Sequence, residues 1–425
     1  MPVFLHAADI HLDSPLLGLD RHDGAPAEAI RGATRSAFDR LVQTAIDRRV
    51  DFVVIAGDLY DGDWNDCNTG LYFTSRMIRL REAGIKAYLI RGNHDAANRM
   101  TKSLRLPDNT TMLSVDAPQT ITLDDLGVAI HGQGFATRAV TDDLSTNYPA
   151  AIPGMFNLGI LHTSADGREG HERYAPCSIE GLKRKGYDYW ALGHIHAREN
   201  LSRDDEPPII FPGNVQGRHA RETGAKGCCV VSIERGRAEV EFVPLDVVRW
   251  VRMRVDVSGA NELDDVLARF GGELERGVAA AEDRLLAIRV ELFGPCAAHD
   301  SLASKRGTAI AEIRNEAMRA GADRVWVEKV KFATRPLRAR GKSSDDSLEG
   351  PAEVLLEMIQ RYRTDASSLT ELASELDDLR HKLPAELVQR DDDAIAPRDP
   401  KDVLAKLDEI EGLLRDRLFA DAENV

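Results

Sequence analysis

Asp51-Phe52-Val53-Val54-Ile55-Ala56-Gly57-Asp58-Leu59-Tyr60-Asp61 is the stretch that decides the fold of this chain. Its unbroken apolar run, closed by glycine, reads as a strand buried on both faces, the kind found where helices cover a sheet. Gly57 permits a tight exit, and Asp58 then stands just past the strand's carboxyl end. Taken alone, Asp58 could equally cap the next helix.

The same arrangement recurs along the chain. Asp9-Ile10-His11 follows an apolar run at 3–8, and Asn93-His94 follows Tyr88-Leu89-Ile90-Arg91-Gly92. His162 follows Leu158-Gly159-Ile160-Leu161, and His194-Ile195-His196 follows Tyr189-Trp190-Ala191-Leu192-Gly193. Strands are predicted at 3–8, 51–56, 85–90, 128–131, 157–161 and 187–192, with amphipathic helices at 28–49 and 68–83. Later strands at 208–211, 228–234 and 238–244 have no helices between them. The order predicts an α/β domain over 1–245 whose sheet begins as β-α-β units and finishes as a meander. Polar groups at the carboxyl ends of several such strands converge on one crevice.

A small α+β unit is predicted at 246–335, with strands at 250–257, 285–292 and 324–330 and helices at 260–269 and 302–320. A Pro/Gly/Ser-containing linker covers 336–350. In the tail, 351–425, Leu369, Leu372, Leu376, Leu379 and Leu383 alternate spacings of three and four, which makes one helical seam. Pro384 stops that helix, and Leu404, Leu407, Ile410, Leu414 and Leu418 make a second stripe, so the tail reads as helix-loop-helix.

Bulk properties narrow the function. A chain of 425 residues with 43% hydrophobic residues suits two or three globular units. The opening residues carry no basic leader and no apolar run approaches membrane-spanning length, so a cytoplasmic protein with no membrane association is expected. Five cysteines, odd in number and without C-x-x-C spacing, suggest reduced packing residues. The net charge of −15 argues against coating nucleic acid through a global positive field. The tail, with 10 Lys/Arg against 19 Asp/Glu, holds most of that excess. A bound pair of dications would neutralise part of the rest, so a polyanionic substrate is compatible with residues 1–350.

Carboxylates, imidazoles and one amide at the strand ends, without thiolate, favour Mn²⁺, Fe²⁺ or Zn²⁺ over Ca²⁺ or a purely Mg²⁺ site. Two dications about 3.5–4 Å apart need an anion between them, and Asp58 is the candidate bridge. A water shared by the ions would be acidified toward neutral pH, giving a nucleophile without a strong protein base.

In their order, D-x-H, G-D-x-x-D, G-N-H-D, a mid-chain His and G-H-x-H resemble the calcineurin-like metallophosphoesterases. Within that superfamily the chain resembles the SbcD and YhaO type of DNA repair exonuclease, on the further strength of Phe4-Leu5-His6-Ala7-Ala8-Asp9 and Phe211-Pro212-Gly213-Asn214-Val215-Gln216-Gly217-Arg218. The resemblance implies a four-layer β-sandwich flanked by helices, with a small α+β capping domain and a helical tail. It implies two divalent ions, Mn²⁺ first, one held by Asp9, His11, Asp58 and His196 and the other by Asp58, Asn93, His162 and His194. His94 would serve the leaving oxygen, oriented by Asp61. The implied activity is exonuclease and single-strand endonuclease cleavage of DNA, with the tail docked on an SMC-like coiled-coil ATPase. A homodimer or self-packing is the other reading of the leucine seams. Arg91, Arg218 and His219 are candidate contacts to substrate phosphate, and surface pairing with Glu222 is the alternative for Arg218. His22, His131, His171, His299 and His381 are read as structural. One departure is the lack of a dense basic run in 246–350, where Arg335, Arg338, Arg340 and Lys342 form only a modest cluster. Competing functions are a phosphomonoesterase or cyclic-nucleotide phosphodiesterase acting on small substrates, and an ATPase scaffold with a vestigial metal site.

Overall fold

The computed structural model describes residues 1–14, 26–61, 68–97, 105–165, 174–337 and 351–382, together with 403, 404 and 407. The strands in chain order are β1 (Val3–Ala7), β2 (Phe52–Ala56), β3 (Lys86–Ile90), β4 (Thr110–Met112), β5 (Gln119–Leu123), β6 (Val128–Gly132), β7 (Phe156–His162), β8 (Tyr189–Gly193), β9 (Glu199–Asn200), β10 (Ile209–Phe211), β11 (Gly227–Glu234) and β12 (Arg237–Pro244). They form two six-stranded sheets, ordered β12-β11-β1-β2-β3-β4 and β5-β6-β7-β8-β10-β9.

The pattern-based expectation of a single sheet ending in a meander is thereby corrected. β10 joins the second sheet parallel to β8, whereas β11 returns to the first sheet antiparallel to β1, pairing Leu5 with Val230. Local pattern gives a strand's faces but not its neighbour.

Period-two alternation explains the layers. In β1 and β2, Leu5, Val53 and Ile55 turn outward against α2 (Ala33–Asp47) and α3 (Asn68–Glu82), meeting Phe38, Leu41, Phe73, Met77 and Leu80. Their alternates Phe4, Phe52 and Val54 face the second sheet, packing with Ile130, Phe156, Leu158, Ile160 and Tyr189. The outer face of the second sheet presents Trp190 and Leu192 to Leu182, on the short helix at Ile179–Arg184. The result is helix, sheet, sheet, helix, the four-layer sandwich expected from the resemblance. Each such fully buried side chain contributes about 1.5–3 kcal/mol of transfer free energy. The predicted helix 28–49 is broken at Gly32 into a short helix, Ala27–Arg31, and α2.

A third sheet has the order β13 (Val248–Asp256), β14 (Leu285–Cys296), β15 (Val325–Pro336). Helices at Leu263–Ala281 and, after an interruption at Lys305, Arg306–Gly321 connect its strands. By backbone contacts the chain divides into two compact units: Met1–Met253, Leu274–Val290 and Ala317–Lys329 make the first, and Arg254–Glu273, Glu291–Glu316 and Val330–Val425 the second. The tail holds helices at Pro351–Thr364 and Ala366–Lys382, the former presenting exposed Val354, Leu355 and Met358. Leu383, Ile410, Leu414, Leu418 and the linker residues 338–350 lie outside the described residues, as do His22, Cys67 and His171. Among the described residues no helix is long and apolar enough to cross a membrane.

Candidate metal centre

The carboxyl ends of strands from both central sheets supply the site. Asp9 and His11 follow β1, Asp58 follows β2, Asn93 and His94 follow β3, His162 is the last residue of β7, and His194 and His196 follow β8. The Asp9 amide donates to the Gly57 carbonyl and the His11 amide to the Asp58 carbonyl, both at 3.1 Å, which fastens the first two loops side by side. Asp9, His11, Asp58 and His194 have φ of 51°, 48°, 50° and 104°, in the left-handed region. Such conformations cost on the order of 1–3 kcal/mol each and persist only where surrounding structure enforces them. Gly193 is required sterically, because a Cβ there would overlap the Ala56 carbonyl oxygen.

Three sets of side chains bring ligand atoms within 4.8 Å of one another: Asp9, His11 and His196; Asp58, His162 and His194; and His11, Asp58 and His94. In the second set, His162 Nδ1 lies 2.9 Å from the Ala56 carbonyl, which can only accept, so Nδ1 carries a proton. His162 Nε2 then faces Asn93 Oδ1 at 2.9 Å and Asp58 Oδ2 at 3.4 Å, both acceptors. A neutral imidazole would set lone pair against lone pair here. The arrangement fits a cation shared by all three atoms.

In the protein by itself a second proton on His162 fills that role. Burial opposes the charge, but Asp58 outweighs it and raises the pKa to about 9. Asp58 is pushed up by burial and brought down further by His162 and His11, ending well below the usual carboxylate range. The first set repeats the logic. His196 Nδ1 is 2.7 Å from Glu222 Oε1, so it too is protonated, and its Nε2 faces His11 Nε2 at 3.2 Å. The closest nearby guanidinium contact, Arg218 Nη2 at 3.3 Å from the same Nδ1, is two donors crowding one carboxylate oxygen. Asp9 takes the His194 amide on both oxygens at 3.0 Å. Its pKa is raised, chiefly by burial.

His94 Nδ1 sits 2.8 Å from Asp61 Oδ1, and the His94 amide donates to Asp58 Oδ1 at 2.9 Å. Burial disfavours the imidazolium, but the hydrogen bond donated to Asp61 and the charge of Asp58 prevail and raise its pKa. Asp61 also accepts from Ser14 Oγ at 2.5 Å and meets Arg218 Nη1 at 3.3 Å.

The three substrate-side candidates differ. Arg218 is engaged by Glu222 and Asp61, but in the interior and not as a surface pair, with its side chain 14% exposed. His219 is the most open, 46% exposed and 3.7 Å from Glu222. Arg91 is half-buried, with an Nε that has no hydrogen-bond partner among the described residues.

Pattern reading passed over three supporting residues. Asp95 accepts the amides of Leu59, Tyr60 and Gly92 at 3.0–3.2 Å, so it braces the Asp58 loop from the next strand end. Its place in Gly92-Asn93-His94-Asp95 was the available signal. Glu222 was readable only as a surface partner of Arg218, since its bonds to His196 and Asn214 come from the fold and not from spacing. His131 is bonded to Thr120 and Asn157, and His299 to Thr334. The four described cysteines are buried and form no disulfide among the described residues.

Comparison with known proteins follows the same lines. Residues 2–198 match the family described as calcineurin-like phosphoesterase, and residues 250–335 match the middle domain of metallophosphoesterase YhaO. An uncharacterized metallophosphoesterase YhaO of Bacillus subtilis is 35% identical over 263 residues, 61% of this chain and 64% of the relative. The chain thus spans less than two thirds of that relative's length. A DNA double-strand break repair protein Mre11 of Methanopyrus kandleri is 25% identical over 399 residues, 86% of this chain and 77% of that protein. Its counterpart in Saccharolobus solfataricus is 26% identical over 185 residues, 42% and 47%. The metallophosphoesterase resemblance carried by the five motifs is borne out.

Proposed function

We propose, from the premise that residues 2–198 are a calcineurin-like metallophosphoesterase domain, that this chain is a dinuclear-metal-dependent nuclease hydrolysing phosphodiester bonds in DNA. The observation that carries the reading is the pair of acceptor clusters, His11 with His196 and His162 with Asn93 and Asp58, flanked by a protonatable His94. Asp9, His11, Asp58 and His196 would hold one divalent cation, and Asp58, Asn93, His162 and His194 the other. When bound, the two ions supply positive charge for the phosphoryl oxygens and an acidified water as nucleophile.

The chain's own groups do the rest. Burial of Asp9 and Asp58 keeps water from competing for the ligand positions. Asp61 holds the His94 ring by Nδ1, which leaves Nε2 as the proton donor to the departing oxygen. Arg91 and His219 are the groups assigned to the substrate side. Arg218, its fork filled by Glu222 and Asp61, belongs to the support of the site.

The Mre11 relatives, described as DNA double-strand break repair proteins, favour a polymer substrate. On that reading the protein works in the cytoplasm, prefers Mn²⁺ over Fe²⁺ or Zn²⁺, and joins an SMC-like ATPase through its tail helices, in preference to a homodimer. The domain division at 245, 335 and 350 goes with it. Phosphomonoesterase or cyclic-nucleotide phosphodiesterase activity is the competing assignment. Linear duplex DNA, single-stranded DNA and bis(4-nitrophenyl) phosphate, each with Mn²⁺, separate the two: cleavage of the polymers is expected, and hydrolysis confined to small esters would reject the nuclease.

A further inference from the structure

Between β10 and β11 the chain runs back to the candidate metal centre and places Glu222 there, 7% exposed. Its carboxylate is surrounded by donors, Arg218 Nε among them at 3.4 Å from Oε2. Oε1 accepts from His196 Nδ1 at 2.7 Å and Arg218 Nη2 at 3.0 Å, while Oε2 accepts the Arg218 amide at 2.7 Å and Asn214 Nδ2 at 3.0 Å. Arg218 Nη1 continues to Asp61 Oδ2 at 3.3 Å, and Asp61 Oδ1 meets His94 Nδ1 at 2.8 Å. A continuous line of charge-assisted hydrogen bonds therefore runs His196, Glu222, Arg218, Asp61, His94.

We infer that Glu222 is a positioning residue for both ends of this site: it fixes His196 with its proton on Nδ1 and its Nε2 lone pair toward the first metal position, and through Arg218 it seats Asp61 under His94. The inference rests on the dinuclear reading above. A carboxylate behind a ligating imidazole sets its tautomer and ring orientation and strengthens it as a donor. Here the same carboxylate also fills one side of an arginine whose other side holds the His94 partner. Neutral hydrogen bonding alone could not replace it, because the buried Arg218 charge would then be left with Asp61 as its one carboxylate partner among the described residues.

The test is Glu222→Gln, which keeps size and one acceptor but removes the charge, with Glu222→Asp as the conservative variant. In metal-free protein carrying ¹⁵N-histidine, two-bond ¹⁵N–¹H correlation reads the tautomer of His196. The wild type should show Nδ1–H, and Glu222→Gln should populate Nε2–H. Mn²⁺ titration should show one of two ions weakened by about 10–100-fold, the usual effect of losing such a partner, with the other unchanged. Glu222→Asp should recover part of both signals, and it carries the test if Glu222→Gln does not fold. An unaltered His196 tautomer with both Mn²⁺ affinities at wild-type values overturns the inference. Wild-type protein that binds fewer than two Mn²⁺ and cleaves no phosphodiester would instead defeat the dinuclear reading, while the metal-free tautomer measurement still reports on the Glu222 contact.

Discussion

His94→Gln separates the two roles the geometry allows for His94. Its ring lies close enough to His11 and Asp58 to be counted with them as a ligand set, yet its Nδ1 is committed to Asp61 at 2.8 Å. As a proton donor it should matter in proportion to how badly the leaving group needs a proton. General acid catalysis is worth about 10²–10⁴-fold, or about 3–5 kcal/mol of barrier. For a deoxyribose oxygen, a strongly basic leaving group, the full loss is expected. For 4-nitrophenolate, which departs without protonation, the loss should be small. The assay compares Mn²⁺-dependent cleavage of a single-stranded oligonucleotide with hydrolysis of bis(4-nitrophenyl) phosphate, alongside metal content by mass spectrometry. Two ions per chain should remain. Because the hydrogen bond to Asp61 raises the His94 pKa, activity should fall as pH rises past it. In Asp61→Asn that fall should move to lower pH. Equal losses on both substrates together with loss of one ion would make His94 a ligand and refute the donor role.

Asp58→Asn should lose both metal and activity, since among the described residues Asp58 shares ligand sets both with His11 and with His162 and His194; a variant that keeps two ions would put the bridge elsewhere. His6 is fully buried in β1, bonded to Tyr189 Oη and the Leu192 carbonyl, and burial lowers its pKa to about 3. The unfolded chain therefore binds the extra proton first, and stability present above pH 6.5 is lost as pH falls toward 3. By pH 4.5 this one group should cost about 3 kcal/mol, measurable by urea unfolding of the metal-free protein, and His6→Gln should flatten that slope. An unchanged slope would place the acid sensitivity in other groups.

Much of the site was legible in one dimension. Every candidate ligand stands directly after, or at the end of, an apolar run, and the five runs that precede or contain them became β1, β2, β3, β7 and β8 within one or two residues. That succeeds because a strand buried on both faces must be apolar throughout, and because the polar group that ends it cannot be buried without a partner. The strand-end positions were therefore marked by local chemistry, while the choice of ligands among them came from the family resemblance.

Tertiary structure decided what those marks could not. The ligands come from two facing sheets and not from one rim, and β11 lies beside β1, over 220 residues away in sequence. That return brings Asn214, Arg218 and Glu222 to His196 and Asp61, where their spacing suggested no more than an Arg218–Glu222 surface pair. Asp9, His11, Asp58 and His194 also stand in left-handed backbone, which nothing in the local sequence foretold. The reason is the range of the forces: apolar periodicity and strand endings are settled over a few neighbouring residues, whereas sheet order, buried ion pairs and strain are settled only when distant segments exclude water from one another.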